Sequence, residues 1–64
     1  MHSLFSYQDA VTFDTGSVRG TGEIINIFTT SDMVRYLIQV ITSSNGIVSE
    51  QYIVNQNNLK KVAS

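Results

Sequence analysis

Four glycines, at positions 16, 20, 22 and 46, cut a proline-free chain into short runs rich in β-branched residues. No run carries a helical apolar repeat. Short β-branched runs bounded by glycine and small polar residues read as strands. Five of them fit into these 64 residues, which predicts an all-β fold and, most simply, a small closed barrel.

The strands are expected as follows. Val11-Thr12-Phe13 alternates and ends at Asp14-Thr15-Gly16. Val18 to Phe28 forms a glycine-rich ribbon whose alternation breaks at Ile24-Ile25, as a β-bulge or sharp bend requires. Met33 to Thr42 is the longest run, with Val34, Tyr36, Ile38 and Val40 on the core face and Met33, Arg35, Leu37, Gln39 and Ile41 on the other. Asn45-Gly46 predicts a tight hairpin turn, from which Ile47 to Val54 returns as the fourth strand. Asn55 to Asn58 suits a single 3-10 turn before a last strand at Leu59 to Val62. Residues 1–8 read as an N-terminal arm and residues 9–62 as the barrel. The arm, apolar at Leu4, Phe5 and Tyr7, is expected to lay an aromatic across one barrel end; donation to a neighbouring subunit is the alternative.

Length and composition set the energetics. A domain this small buries about 60% of its unfolded surface, and its core supplies roughly 3–5 kcal/mol. Disulfides cannot add to that, because there is no cysteine. Structural zinc sites are built from cysteine sulfur and histidine imidazole, and the only imidazole is the near-terminal His2. Self-association is the remaining support. The Leu37 and Ile41 face fits it, since two apolar side chains on one outer strand face exceed an ordinary isolated exposure. Met33, Arg35, Leu37, Ile41 and Tyr52 are therefore the candidate interface residues.

Charge excludes other classes. Four Lys or Arg against five Asp or Glu leave a net charge of −1, whereas phosphate backbones are held by clustered cations. Nucleic acid is thus not an expected partner unless Arg19, Arg35, Lys60 and Lys61 converge in space. The opening residues lack the pattern of a secretory signal, and no apolar run nears the ~20 residues of a membrane helix. The expected setting is cytoplasmic, without membrane contact. The size, lack of proline and generic polar surface are in the style of phage or mobile-element proteins.

Phe13-Asp14-Thr15-Gly16-Ser17 resembles the aspartic-protease signature, but such an enzyme needs a flap and a second apolar segment that this chain has no room for. The expected role is a polar turn, with Asp14 accepting backbone N–H groups and Gly16 at positive φ. Gly20-Thr21-Gly22 resembles a phosphate loop, yet strand residues follow where a helix N-terminus would be needed. No serine has a histidine partner within reach, and no cofactor is expected. Tyr7, Phe28, Tyr36 and Tyr52 are the aromatics available for a peptide cage, with Tyr7 and Tyr52 the exposed candidates.

The ordered set Val11-x-Phe13, Gly22-x-Ile24, Tyr36-x-Ile38-x-Val40, Asn45-Gly46, Val54 and Leu59-x-x-Val62 resembles the SH3-like barrels of Tudor and KOW type. That resemblance covers residues 9–62 and implies a five-stranded barrel with a short 3-10 turn before the last strand. Gly22-x-Ile24 and Tyr52-x-Val54 with Leu59 are also similar to the plasmid-type (type II) dihydrofolate reductases, tetrameric barrels around one pore. Where that family's pore motif reads Val-Gln-Ile-Tyr, this chain has Ser49-Glu50-Gln51-Tyr52 and shares only the tyrosine. Three functions are therefore expected to compete. The foremost is a non-catalytic, self-associating module that binds a protein or peptide. Behind it stand a nucleic-acid accessory barrel and an oligomeric pore enzyme, the latter marked by a pore lined by Gln51 and Tyr52.

Overall fold

The computed structural model describes residues 3–62. Five strands follow in order: β1 (Ala10–Asp14), β2 (Arg19–Thr29), β3 (Val34–Ser43), β4 (Gln51–Asn55) and β5 (Leu59–Lys61), with a 3-10 turn at Gln56–Asn58 before β5. They form one antiparallel sheet in the order β4-β3-β2-β1-β5. The chain is all-β, as expected, but among the described residues the sheet is hydrogen-bonded as an open one: β4 pairs only with β3, and β5 only with β1.

An open sheet with no helix must still cover its apolar face, and it does so by curling. Tyr52 on β4 and Phe13 on β1 have ring centroids 5.7 Å apart. Three strand spacings of a flat sheet would separate those strands by about 14 Å. The curl closes the apolar face on Val11, Phe13, Ile24, Val34, Tyr36, Ile38, Val40, Val54 and Leu59, all buried and drawn from every strand.

Two register shifts in the β2–β3 pairing produce the bend. Ile24 faces Ile38 while Asn26 faces Leu37, so Ile25 is the extra residue in β2. This is the position where the sequence breaks alternation, and the shift keeps Ile24 and Ile27 on the core side. The second shift leaves Ile41 as the extra residue in β3, because Thr21 faces Thr42 and Gly22 faces Val40. Gly20 and Gly22 lie inside β2, beside this second shift. A β-carbon on Gly20 would sit 2.0 Å from the Thr42 carbonyl oxygen, and one on Gly22 would sit 2.3 Å from the Ile38 Cγ2. The curl brings β3 into the space that a β2 side chain would fill.

The β1–β2 turn forms as its residues dictate. Asp14 Oδ1 accepts the Gly16 N–H at 2.9 Å, Gly16 takes φ 91°, and the Thr15 N–H donates to the Val18 carbonyl at 3.0 Å. The Asn45-Gly46 turn departs from expectation. The Gly46 N–H does reach the Ser43 carbonyl at 3.1 Å, but no strand resumes after it. Asn45 Oδ1 instead accepts the Ile47 N–H at 3.0 Å, and Ile47 to Glu50 run as a loop that leaves Ile47 and Val48 exposed. The fourth strand is thus only Gln51–Asn55.

Residues 3–8 of the arm lie along their own sheet. Phe5 meets Tyr36 edge-to-face at 5.5 Å, and the Gln8 N–H donates to the Ile24 carbonyl at 2.8 Å. The fully buried Tyr36 places its hydroxyl 2.8 Å from Ser3 Oγ and donates to Gln56 Oε1, which also accepts the Leu4 N–H at 2.9 Å. This node ties the arm, β3 and the 3-10 turn together. Met1 and His2 lie outside the described residues. Tyr36→Phe removes one buried hydroxyl while Gln56 keeps the Leu4 N–H, so an unfolding penalty of about 1 kcal/mol is expected in urea titration. Faster amide exchange at Leu4 should accompany it.

Candidate interaction surface

Cross-strand partners in an antiparallel sheet share a face. The outer rows across β2, β3 and β4 are therefore Phe28-Arg35-Asn55, Asn26-Leu37-Ile53 and Glu23-Gln39-Gln51. The middle row carries the apolar feature of this surface. Ile53 is 59% exposed beside the half-buried Leu37, and Phe28 is exposed one row away. The row on the other side is polar, and in it Gln51 Nε2 donates to Gln39 Oε1 at 3.0 Å.

The sequence-derived interface residues are only partly brought together. Arg35 and Leu37 share the outer face, as placed by their alternation. Leu37 is half-buried rather than fully exposed, because Asn26 and Ile53 flank it on both sides. Ile41 is 55% exposed but sits at the register shift, without a β2 partner. Met33 is exposed in the β2–β3 turn, where it lines a small cleft with Asp32, Asn55 and Gln56. Tyr52 departs from the group: it faces the buried Ile38 and packs against the core beside Phe13. It therefore points to the inner side, opposite Arg35 and Leu37. Ile53 is the residue that sequence reasoning missed. Tyr52, Ile53 and Val54 are three apolar residues in a row, so alternation alone cannot choose which of them faces out.

Tyr52 is marked chemically by its neighbour. Its hydroxyl donates to Glu50 Oε2 at 2.7 Å. That hydrogen bond to a carboxylate, followed by partial desolvation, raises the phenol above the ordinary tyrosine range. A folded pKa above the unfolded one means that its stabilising effect is complete below the unfolded value and is lost as pH rises through the folded one. In an ultraviolet titration of phenolate, Tyr52 is expected to ionise late, and Glu50→Gln should bring its titration back toward that of a free tyrosine.

The two free edges of the sheet differ. β5 carries Lys60 and Lys61, the residue type that natural edge strands use to prevent pairing. β4 reads Gln-Tyr-Ile-Val-Asn, with no charge and no proline. The backbone directions follow from the ladder. The Val40 N–H donates to the Glu50 carbonyl at 3.0 Å while Gln39 faces Gln51. Glu50, Tyr52 and Val54 thus turn their backbone groups to β3, and Gln51, Ile53 and Asn55 turn theirs outward.

The cations do not form one patch. Arg19 and Lys60 line an open cleft of about 660 Å³ together with Asp14, Asn57 and Asn58. Lys61 lies 3.9 Å from the Asp9 carboxylate, and Arg35 is on the outer face of β3 between Phe28 and Asn55. Gln51 and Tyr52, the pair expected to line a pore, are consecutive in β4 and so lie on opposite faces of the strand. Among the described residues, no helix is long and apolar enough to cross a membrane. No protein-family model matches the chain, and no curated protein or solved structure matches it either.

Proposed function

We propose that this chain is a small SH3-like barrel module without a catalytic role, which works by associating with copies of itself through the β4 side of its sheet. The observation that carries this reading is the contrast between the two edges. One is guarded by two lysines, and the other is uncharged and continues into the exposed Ile53 and Leu37 row. Exposed neutral edges with high β-propensity pair readily, and a 64-residue domain without disulfides gains stability from a partner. The polar clefts fit a lesser role, since only two of the four cations share one of them.

The reading is tested by Leu37→Gln combined with Ile41→Gln, followed by sedimentation velocity. The double variant is expected to sediment as a folded monomer at concentrations where the unaltered protein is oligomeric. An unaltered oligomer in that variant would remove the outer face from the interface.

A further inference from the structure

We propose that two copies join by antiparallel pairing of their β4 strands about a two-fold axis at Ile53, giving a ten-stranded sheet from two five-stranded ones. The proposal rests on the self-association reading and specifies its geometry. Outward backbone groups occur only at Gln51, Ile53 and Asn55 along β4, so paired residues must be drawn from these positions. Antiparallel pairing with Ile53 opposite its own copy matches Gln51 to the partner copy's Asn55 at both ends. Every outward N–H and C=O of the strand then finds a partner. A register centred on Tyr52 or on Val54 would leave part of the strand overhanging.

The side chains agree with this register. Ile53 meets Ile53 at the centre, flanked on each side by Leu37, so the two apolar rows become one continuous stripe. The residues on either side are Gln opposite Asn, which pair without charge conflict. Joining β4 to the β5 of another copy is disfavoured, because β5 is only Leu59–Lys61 and two of its three residues are lysines. The occupant of this edge is a second copy rather than an unrelated strand because β4 is complementary to itself.

Two measurements test it. First, Ile53→Lys and Ile53→Glu are made separately. Like charges face each other only if residue 53 opposes its own copy. Each variant alone is therefore expected to be monomeric, and their equimolar mixture to recover the dimer. Failure of the mixture to dimerise, when the unaltered protein does, would overturn the two-fold axis at Ile53. Second, amide exchange is followed in the unaltered protein. The Gln51, Ile53 and Asn55 N–H groups are expected to be protected at high concentration and to exchange at least tenfold faster on dilution. Free exchange of these three in a sample that is dimeric by mass would overturn edge pairing while leaving self-association standing. A monomer by mass at every concentration would overturn both.

Discussion

Gly20→Ala is expected to abolish the folded state, as judged by loss of cooperative thermal unfolding and of amide dispersion. The added β-carbon would meet the Thr42 carbonyl oxygen at 2.0 Å and the Thr42 carbonyl carbon and Ser43 Cα at 2.9 Å, all backbone atoms of the adjacent strand. No side-chain rotation can relieve that contact. Either β3 moves away or the bend in β2 opens, and both disturb the curl that brings Phe13 to Tyr52. Overpacking in a well-filled interior costs about 1–3 kcal/mol and more where backbone must shift. The stabilising reserve of a domain this size is roughly 3–5 kcal/mol, so the substitution removes most or all of it. Gly22→Ala should act similarly, since its β-carbon would meet Ile38 Cγ2 at 2.3 Å and the Gln39 carbonyl oxygen at 2.7 Å. Gly16→Ala provides the contrast. No atom lies within 4 Å of its β-carbon, and only φ 91° opposes it; a loss of about 1 kcal/mol is expected there. Milder loss at Gly20 than at Gly16 would mean that β2 is not bent as described.

Ile53→Lys is expected to separate the oligomer without unfolding the subunit. Ile53 is 59% exposed and makes no part of the buried cluster, so the monomer's melting curve should change little. In the proposed β4 pairing the substitution removes the central apolar contact and places two ammonium groups opposite each other. A central interface residue is worth about 2 kcal/mol or more, a weakening near 30-fold. The measurement is the dissociation constant by sedimentation equilibrium, with circular dichroism as the control for folding. A lysine here would also reproduce on β4 the protection that Lys60 and Lys61 give β5.

Much of the fold was legible from local chemistry. Val34, Tyr36, Ile38 and Val40 alternate with polar or half-exposed neighbours, and all four are buried. The Asp14-Thr15-Gly16 turn and the 3-10 turn follow from residues with strong local preferences. The doubled Ile24-Ile25 marks the register shift because alternation fails there, and Ile25 as the extra residue lets both Ile24 and Ile27 face the core. Features that depend on distant partners were not legible. Gly20 and Gly22 read as glycines of a bent ribbon, and a register shift does lie beside Gly22, but the approach of Thr42 and Ile38 from β3 that requires them could not be read from their neighbours. The face of Tyr52 depends on how the loop after Ser43 delivers β4 to β3. Ile47 and Val48 have strand-like side chains, yet β4 begins only at Gln51 and β3 beyond Val40 pairs with β2 alone, because the Ser43–Gly46 turn leads into a loop instead of a returning strand. The apolar stripe centres on Ile53 and Leu37, rather than on Leu37 and Ile41, because Ile53 faces Leu37 while Ile41 is the extra residue at the second register shift.

The most direct test of self-association through β4 is the mass of the unaltered protein in solution, by light scattering across a wide concentration series at moderate salt. A species of twice the 7.1 kDa chain mass, falling to the single-chain mass on dilution, is the expected result. A single-chain mass throughout the series would contradict it and leave β4 as an edge that pairs with nothing of its own kind.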